Sequence, residues 1–415
     1  MAPKRFFRPM LLDYSLPHPG VRQIRYFIFL RDILLLALGA FGGPQAHMAM
    51  IIKHLVKKRA YLTEEELMEL NALCSVLPGP SSTQTITAIG YKVGGPNLAY
   101  LTLIVWSLPA VIMLTLAGIF ISYFQAHHIS LNFTRFIQPM PVGFMLYAVF
   151  HFGRKIVKTP LATGISAVAA VVSFLLHSPW VAPMLLLTGG AITAVQYQKL
   201  ERKVEKDPLR INWANFILFA SVGVMAAILG AITHWLPIRL FENFYRNGSL
   251  TYGGGQALSA VLLTEFVRFP KKQYLQVDEF LTGSAISQVV PGPNFSFAAF
   301  IGALAMRDQG IGGQMLGSFM AAAGIFLPGT FLIFFVYRFW SQLKQYRVVR
   351  ASLEGINAVT TGIIGAAAVL LFIRLEGDMS LNTGIVGITF FLLSFTKVPH
   401  YLIIAAGLLL GFLVK

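Results

Sequence analysis

The chain has 415 residues, 56% of them hydrophobic and 12% charged, with a mean hydropathy of +0.67; a soluble domain carries about 25% charge. Its net charge of +16 would suggest nucleic acid in a soluble protein, but the basic residues sit in short connections between apolar runs, as the positive-inside rule produces, and no basic stretch is interleaved with aromatics in a soluble module. The single cysteine, Cys74, excludes an internal disulfide.

In chain order, the first 26 residues are basic, contain proline and lack the apolar run of a cleavable signal; they are expected to form a cytoplasmic N-terminal segment. Phe41-Gly42-Gly43-Pro44-Gln45 then looks like a helix start, with His47 and His54 seven residues apart after it. Segment 65–95 is too polar and too broken for an ordinary span: an approach helix, Pro78-Gly79-Pro80, then a second stretch opening on Ser81-Ser82-Thr83-Gln84. Runs of roughly 20 apolar residues cross a hydrocarbon core of about 30 Å, and spans are predicted at 97–122, 136–153, 161–177, 180–197 and 213–237. Tyr252-Gly253-Gly254-Gly255-Gln256 repeats the first glycine break, and 278–310 repeats the interrupted segment around Pro291-Gly292-Pro293. Further spans are predicted at 313–337, 355–374, 381–396 and 398–413.

The two interrupted segments lie 213 residues apart, with the same spacing from Tyr61 to Pro78 as from Tyr274 to Pro291. Leu108-Pro109 likewise matches Leu327-Pro328, and Gly143 matches Gly362. Two copies of one unit are expected at 27–200 and 238–415, joined by a basic connection and a linking transmembrane helix at 201–237. Charge sets their relative orientation. The connection after 97–122 lacks Lys or Arg until Arg135, whereas the matching one holds Arg338, Lys344, Arg347 and Arg350; the next pair reverses the bias, Arg154, Lys155 and Lys158 against Arg374, Glu376 and Asp378. Opposite bias in equivalent loops implies opposite topology, and five crossings between equivalent points agree with it. Lys53, Lys57, Lys58 and Arg59 against Arg268, Lys271 and Lys272 do not show the swap. The fold class is therefore an all-α polytopic membrane protein, two inverted-topology repeats with re-entrant or broken helices at the centre.

A proline-glycine break inside lipid frees backbone groups, and paired interruptions in two halves point to a transporter's substrate site. A helix that starts inside the membrane presents free N–H groups and about half a positive charge, which attract anions. The expected substrate-binding set is Gly42, Gly43, Gln45, His47, Gly79, Ser81, Ser82, Thr83, Gln84, Lys92, Gly254, Gln256, Gly292, Asn294 and Ser296. Lys92 is the candidate fixed cation, with membrane-edge snorkelling as its alternative; Arg307 is expected to pair with the adjacent Asp308. Glu265 and Glu69 are coupling candidates because acids inside a membrane are costly, Glu265 having Arg268 as a local ion-pair partner in the bland reading. No metal site, cofactor or catalytic residue is expected.

These residues resemble the chromate ion transporter family in its two-domain form. The likeness rests on Phe41-Gly42-Gly43-Pro44-Gln45-Ala46-His47-Met48-Ala49, on Leu77-Pro78-Gly79-Pro80-Ser81-Ser82-Thr83-Gln84 with Gly90-Tyr91, and on Gly253-Gly254-Gly255 with Pro291-Gly292-Pro293. It covers about 27–415. Tyr252, and Asn294-Phe295 in place of the hydroxyl run, depart from the pattern. The resemblance implies a multi-pass secondary carrier of the plasma (inner) membrane that moves chromate, a tetrahedral dianion close to sulfate in size. Expected partners are that small oxyanion and the lipid bilayer, a homodimer being compatible with both. With no Gly-x-x-x-x-Gly-Lys-Ser/Thr motif, ATP drive is not expected. The competing readings are an anion channel and a membrane-embedded enzyme acting on lipid phosphate through Ser81 beside His47.

Overall fold

The computed structural model describes residues 19–41, 43–129, 132–155, 157–176, 178–195, 213–252, 254–337, 339–340, 347–396 and 398–413, and among these no strand occurs. Gly42, Gly253, Arg338, Lys344, the first 18 residues and most of the 201–212 connection lie outside the described set, as do the side chains of Gln45, Lys155, Arg347 and Arg350.

The chain begins with α1 (Pro19–Leu38) and α2 (Gly43–Ile51), the latter running on as a π-helical turn, Ile52–Lys58. α3 (Glu64–Val76) starts on a capping box, with the Glu66 N–H donating to Thr63 Oγ1 at 3.2 Å and the Thr63 N–H donating to the Glu66 carboxylate at 2.9 Å. Two of the N–H groups that a helix start leaves open are thereby satisfied. The chain then turns at Pro78-Gly79-Pro80, where Gly79 takes a φ of +112°, a conformation open to a residue without Cβ. α4 (Ser81–Ala126) is two helices in one outline: Gly94 and Gly95 are non-helical, and Pro96 restarts the helix. Residues 64–93 are therefore a re-entrant hairpin, its first arm 13 residues long. An arm of that length reaches about 20 Å, past the middle of a core about 30 Å thick.

Next come α5 (Met140–Lys155), α6 (Pro160–Leu175), α7 (Val181–Ala194) and α8 (Ala214–Thr233). The pattern then starts again with α9 (Leu236–Leu250), α10 (Gly255–Leu263) with its own π-helical turn Thr264–Arg268, and α11 (Val277–Val289), which opens on a second capping box of Gln276 and Glu279. Pro291-Gly292-Pro293 follows with Gly292 at φ +120°. A 3-10 turn, Asn294–Ser296, leads into α12 (Phe297–Ala305), and α13 (Gly310–Val336) is the matching long helix. Glycines with positive φ recur in register at Gly43 and Gly254, Gly79 and Gly292, Gly95 and Gly310. α14 (Arg347–Ile373), α15 (Met379–Phe395) and α16 (His400–Leu413) complete the chain.

Side-chain contacts at the two ends of α4 establish the inversion. At the base of the first hairpin Lys92 is ion-paired with Glu66, and Tyr26 donates to the Gly94 carbonyl at 3.3 Å. The far end of α4, after residues 96–126 or about 46 Å of helix, touches the base of the second hairpin: Gln125 Nε2 donates to Glu279 at 2.9 Å and Arg307 donates to Gln125 at 3.2 Å. α13 runs the other way, starting beside Arg307 and ending with Phe334 and Tyr337 packed on Tyr91, ring centroids 4.8 and 5.2 Å apart. The two hairpins therefore enter from opposite faces. The core follows the same exchange: the end of α13 (Ile333, Phe334, Val336) is buried with α1, α3 and the first arm of α4, while Leu103, Ala110, Leu114 and Ile121 of α4 are buried with α10, α11 and α12.

Four described helices are long and apolar enough to cross a membrane, Ser81–Ala126, Ala214–Thr233, Arg307–Val336 and Ala351–Ile373. The spans expected at 161–177 and 180–197 are shorter than a bilayer core: α6 and α7 have 16 and 14 residues, about 24 and 21 Å at a helical rise. As a pair they add either two crossings or none, so the odd count behind the inversion is unaffected.

Candidate functional site

The hairpin tips meet. The Gly79 N–H donates to the carbonyl of Thr251, just before the second glycine break, and the Gly292 N–H donates to the carbonyl of Ala40, just before the first, each at 2.8 Å. Each Pro-Gly-Pro tip is thus fastened to the glycine break of the opposite repeat, a pairing that the pseudo-twofold relation repeats. Between them lies a narrow cavity, about 270 Å³ of space not filled by atoms. Gly43 and His47 line it from α2, Pro80, Ser81 and Ser82 from α4, Gly254 and Gly255 from α10, and Pro293, Asn294 and Phe295 from the start of the helical stretch leading into α12. Four helix beginnings, two from each repeat, face one space.

Those at Pro80, Gly254 and Pro293 carry no side-chain cap. Each such end carries about half a positive charge, so four together approach the charge of a dianion without any ionised side chain. Among the described residues no charged side chain lines the cavity.

His47 is 1% exposed and makes two hydrogen bonds. Its Nε2 lies 3.1 Å from the Ala40 carbonyl oxygen, which only accepts, so Nε2 carries the hydrogen. In the neutral ring Nδ1 then accepts, and Ser82 Oγ, 3.1 Å away, donates to it. Ala40 O accordingly accepts from both His47 and Gly292. Trp106, fully buried, meets the imidazole edge-on at 5.3 Å and donates from Nε1 to Thr83 Oγ1 at 3.2 Å.

Gly43, His47, Ser81, Ser82, Gly254 and Asn294 thus come together at the cavity. Gly79 and Gly292 hold the tips by their backbone. Thr83 and Gln84 are buried behind the first tip, Gln84 donating to the Pro78 carbonyl at 2.7 Å; both brace the turn rather than face the space. Ser296 is fully buried, its hydroxyl without a partner among the described residues. Gln256 lies one residue beyond the cavity lining of α10.

Three charged residues depart from expectation. Lys92 is not in the cavity: it pairs with the capping-box acid Glu66 at the hairpin base, its side chain 26% exposed. Its counterpart exists after all, since Arg307 pairs with the second capping-box acid, Glu279, and donates to the Tyr274 carbonyl at 2.9 Å, not to Asp308. Glu265 is fully buried but bound to Arg246, to Lys272 at 2.8 Å and to Asn247 at 2.7 Å instead of Arg268. Arg246 also holds Glu242 at 3.1 Å and lies 5.4 Å over the Trp180 ring. Glu69 is half-buried on α3 near Tyr337, away from the cavity. Sequence reasoning missed Trp106, Arg246 and the carbonyls of Ala40 and Thr251; only the two backbone carbonyls carried a signal, as the residues immediately before paired glycine breaks.

A family profile described as chromate transporter matches residues 27–195 and 238–412. The chain is 25% identical over 391 residues to a chromate transport protein of Pseudomonas aeruginosa, covering 90% of this chain and 89% of that one. An uncharacterized transporter of Methanocaldococcus jannaschii is 22% identical over 387 residues, 92% and 93% of the two chains. An uncharacterized transporter of Bacillus subtilis matches at 25% identity over 176 residues, 41% of this chain but 98% of its own length. No solved structure matches. With its two matched regions related by inversion and meeting at one cavity of helix ends, this polytopic membrane protein belongs to the chromate transporter family.

Proposed function

We propose that the chain is a secondary carrier of a tetrahedral oxyanion, chromate or the similarly sized sulfate, with the cavity between the hairpin tips as its site. The observation that carries this reading is the convergence of four helix beginnings from two inverted repeats on one space without ionised side chains. A dianion leaving water loses tens of kcal/mol of solvation by Born estimates, and preoriented backbone N–H groups with the hydroxyls of Ser81 and Ser82 and the amide of Asn294 replace its water shell. The binding set is therefore Gly43, His47, Ser81, Ser82, Gly254, Gly255 and Asn294, on a frame set by Gly79 and Gly292.

Two units, 27–200 and 238–415, rock about this midplane site to give alternating access. That a protein spanning 41% of this chain matches over 98% of its own length supports a unit of half size. The carrier sits in the plasma membrane with its N-terminal segment in the cytoplasm. The purified protein in proteoliposomes should show saturable chromate uptake that sulfate competes with; absence of saturable flux for either anion defeats the proposal, and current that rises without saturation assigns a channel instead. The lipid-phosphate enzyme reading now falls on Ser82, the serine bonded to His47. A backbone carbonyl occupies the place where a hydrolytic triad holds a carboxylate, so no phosphate release from lipid is expected.

A further inference from the structure

We infer that His47 and Ser82 form a proton-linked switch that binds one proton together with each anion. The inference rests on the cavity being the oxyanion site proposed above. In the neutral ring the hydrogen on Nε2 is committed to Ala40 O and the hydroxyl hydrogen of Ser82 is committed to Nδ1. Ser82 Oγ then offers the cavity lone pairs only, which repel an oxyanion. A proton arriving at Nδ1 reverses that contact. Nδ1–H donates to Ser82 Oγ, the hydroxyl swings toward the cavity as a donor, and a positive charge stands directly behind it. No other bond forms or breaks; the proton comes from water on the side to which the cavity is open and returns to water when the anion leaves.

The surroundings make the anion the counter-charge for that proton. Among the described residues no acid reaches His47. On α1, Asp32 is held by Arg59 at 2.8 Å and by Tyr61. On α3, Glu66 is paired with Lys92 of α4. In the opposite repeat Glu265 and Glu279 are paired with Arg246, Lys272 and Arg307. Lys53 and His54, on the turn that continues α2, point elsewhere: Lys53 is exposed and His54 Nδ1 bonds to the Met50 carbonyl at 3.2 Å. Trp106 closes the ring's remaining edge. An isolated imidazolium in such a pocket is costly, so proton and anion each favour the other's binding by the same factor. Because the Nε2–H bond ends on Ala40 O, which also takes the Gly292 N–H, the ring touches both the anion-facing hydroxyl and the link between repeats. The counterpart of His47 in the second repeat is Leu258, so one relay serves the whole site.

The test uses the full-length protein in proteoliposomes containing a pH-reporting dye, with chromate added outside at about pH 8, above the range where His ordinarily titrates. Wild-type vesicles should acidify inside by about one proton per chromate taken up. His47→Gln, which keeps a donor for Ala40 and an acceptor for Ser82 but binds no proton, should carry chromate at least tenfold more slowly and without acidification. Should that variant fail to assemble, Ser82→Ala gives a second reading: the gain in wild-type sulfate affinity between about pH 8 and about pH 6 should shrink at least threefold. Unaccompanied chromate uptake in wild type, the same proton-to-anion ratio in His47→Gln, or an undiminished pH gain in Ser82→Ala each overturns the switch. If wild-type vesicles take up neither anion, the transport reading itself has failed.

Discussion

The two hairpin tips share a backbone and differ in chemistry. Gly79 and Gly292 have nearly the same positive φ, and each donates 2.8 Å to the carbonyl that precedes the opposite glycine break. On that common frame the first repeat places His47, Ser81 and Ser82, where the second has Leu258, Asn294 and Phe295. At the bases the asymmetry runs the other way. Glu265 is bound by Arg246 and Lys272 in the second repeat, and its counterpart in the first is His54, bonded to a carbonyl. The symmetric parts are those that any anion and any rocking motion need, namely helix ends and hinges. The asymmetric parts decide what is bound and which half is held rigid.

Substituting the paired glycines is the strongest way to break this comparison. Gly79→Leu and Gly292→Leu force a side chain into positive φ, at about 1–2 kcal/mol each, and a Cβ would meet Gln84 Nε2 at 2.9 Å in the first and Ala110 Cβ at 2.8 Å in the second. Both variants should lose chromate flux by more than about 100-fold, since misplacing an oriented site costs that much. Full-length protein should still elute as a monodisperse peak in detergent. Wild-type flux in one variant alone would show that the symmetry of the frame is inherited rather than used.

A second contrast concerns stability. Glu265→Gln leaves Arg246 and Lys272 facing a neutral amide in a buried site and should cost about 3–5 kcal/mol, as breaking a buried pair does. His54→Gln should cost less than about 1 kcal/mol, because one hydrogen bond to a carbonyl is at stake. Thermal unfolding of the two variants in the same detergent compares them; equal shifts would mean that the buried cluster does not hold the second repeat.

What could be read from the sequence divides along the same line. The paired breaks at fixed spacing gave away the hairpins and their meeting, because only glycine and proline build such turns and both repeats keep them. Side-chain partners were harder. Arg268 stands three residues after Glu265, a helical neighbour, but Thr264–Arg268 is a π turn, whose wider winding takes Arg268 off that face. Arg307 was assigned to Asp308, yet adjacent residues point apart, and its turn closes on Glu279. The counterpart of Lys92 was sought at a spacing of 213, where Ala305 falls; the turn Arg307–Gln309 shifts the register to 215. Ser81 was set beside His47, whereas the phase of α4 puts Ser82 there.

Hydroxyl deletions sharpen the chemical contrast between the tips. Ser81→Ala removes a cavity hydroxyl that the structure does not commit to a side-chain partner, and a hydrogen bond to a charged group is worth about 1.5–3 kcal/mol. Chromate affinity in Ser81→Ala should fall at least tenfold. Ser296→Ala, at the position matching Thr83, removes a fully buried hydroxyl with no partner among the described residues. It should leave affinity within about twofold and stability unchanged or slightly raised, because an unsatisfied buried polar group is lost. Competition between sulfate and chromate in uptake assays reads both; comparable losses would mean that the second tip binds through its hydroxyl too.

The smallest effect is expected where a fixed cation was first sought. Lys92 and Arg307 occupy matching corners, each closing its hairpin base onto a capping-box acid. Their settings differ: the Glu66 side chain is 44% exposed, whereas that of Glu279 is 1% exposed and also accepts from Gln125. Exposed pairs contribute about 0–1 kcal/mol, so Lys92→Met should lower stability by less than about 1 kcal/mol and leave chromate affinity unchanged, its effect weakening further in high salt. Arg307→Met strips a buried carboxylate of its cation and should cost several times more by the same unfolding measurement. A tenfold loss of chromate affinity in Lys92→Met, larger than the loss for a monoanion, would instead bring the lysine into the binding step and make the cavity's neutrality a feature of this one conformation.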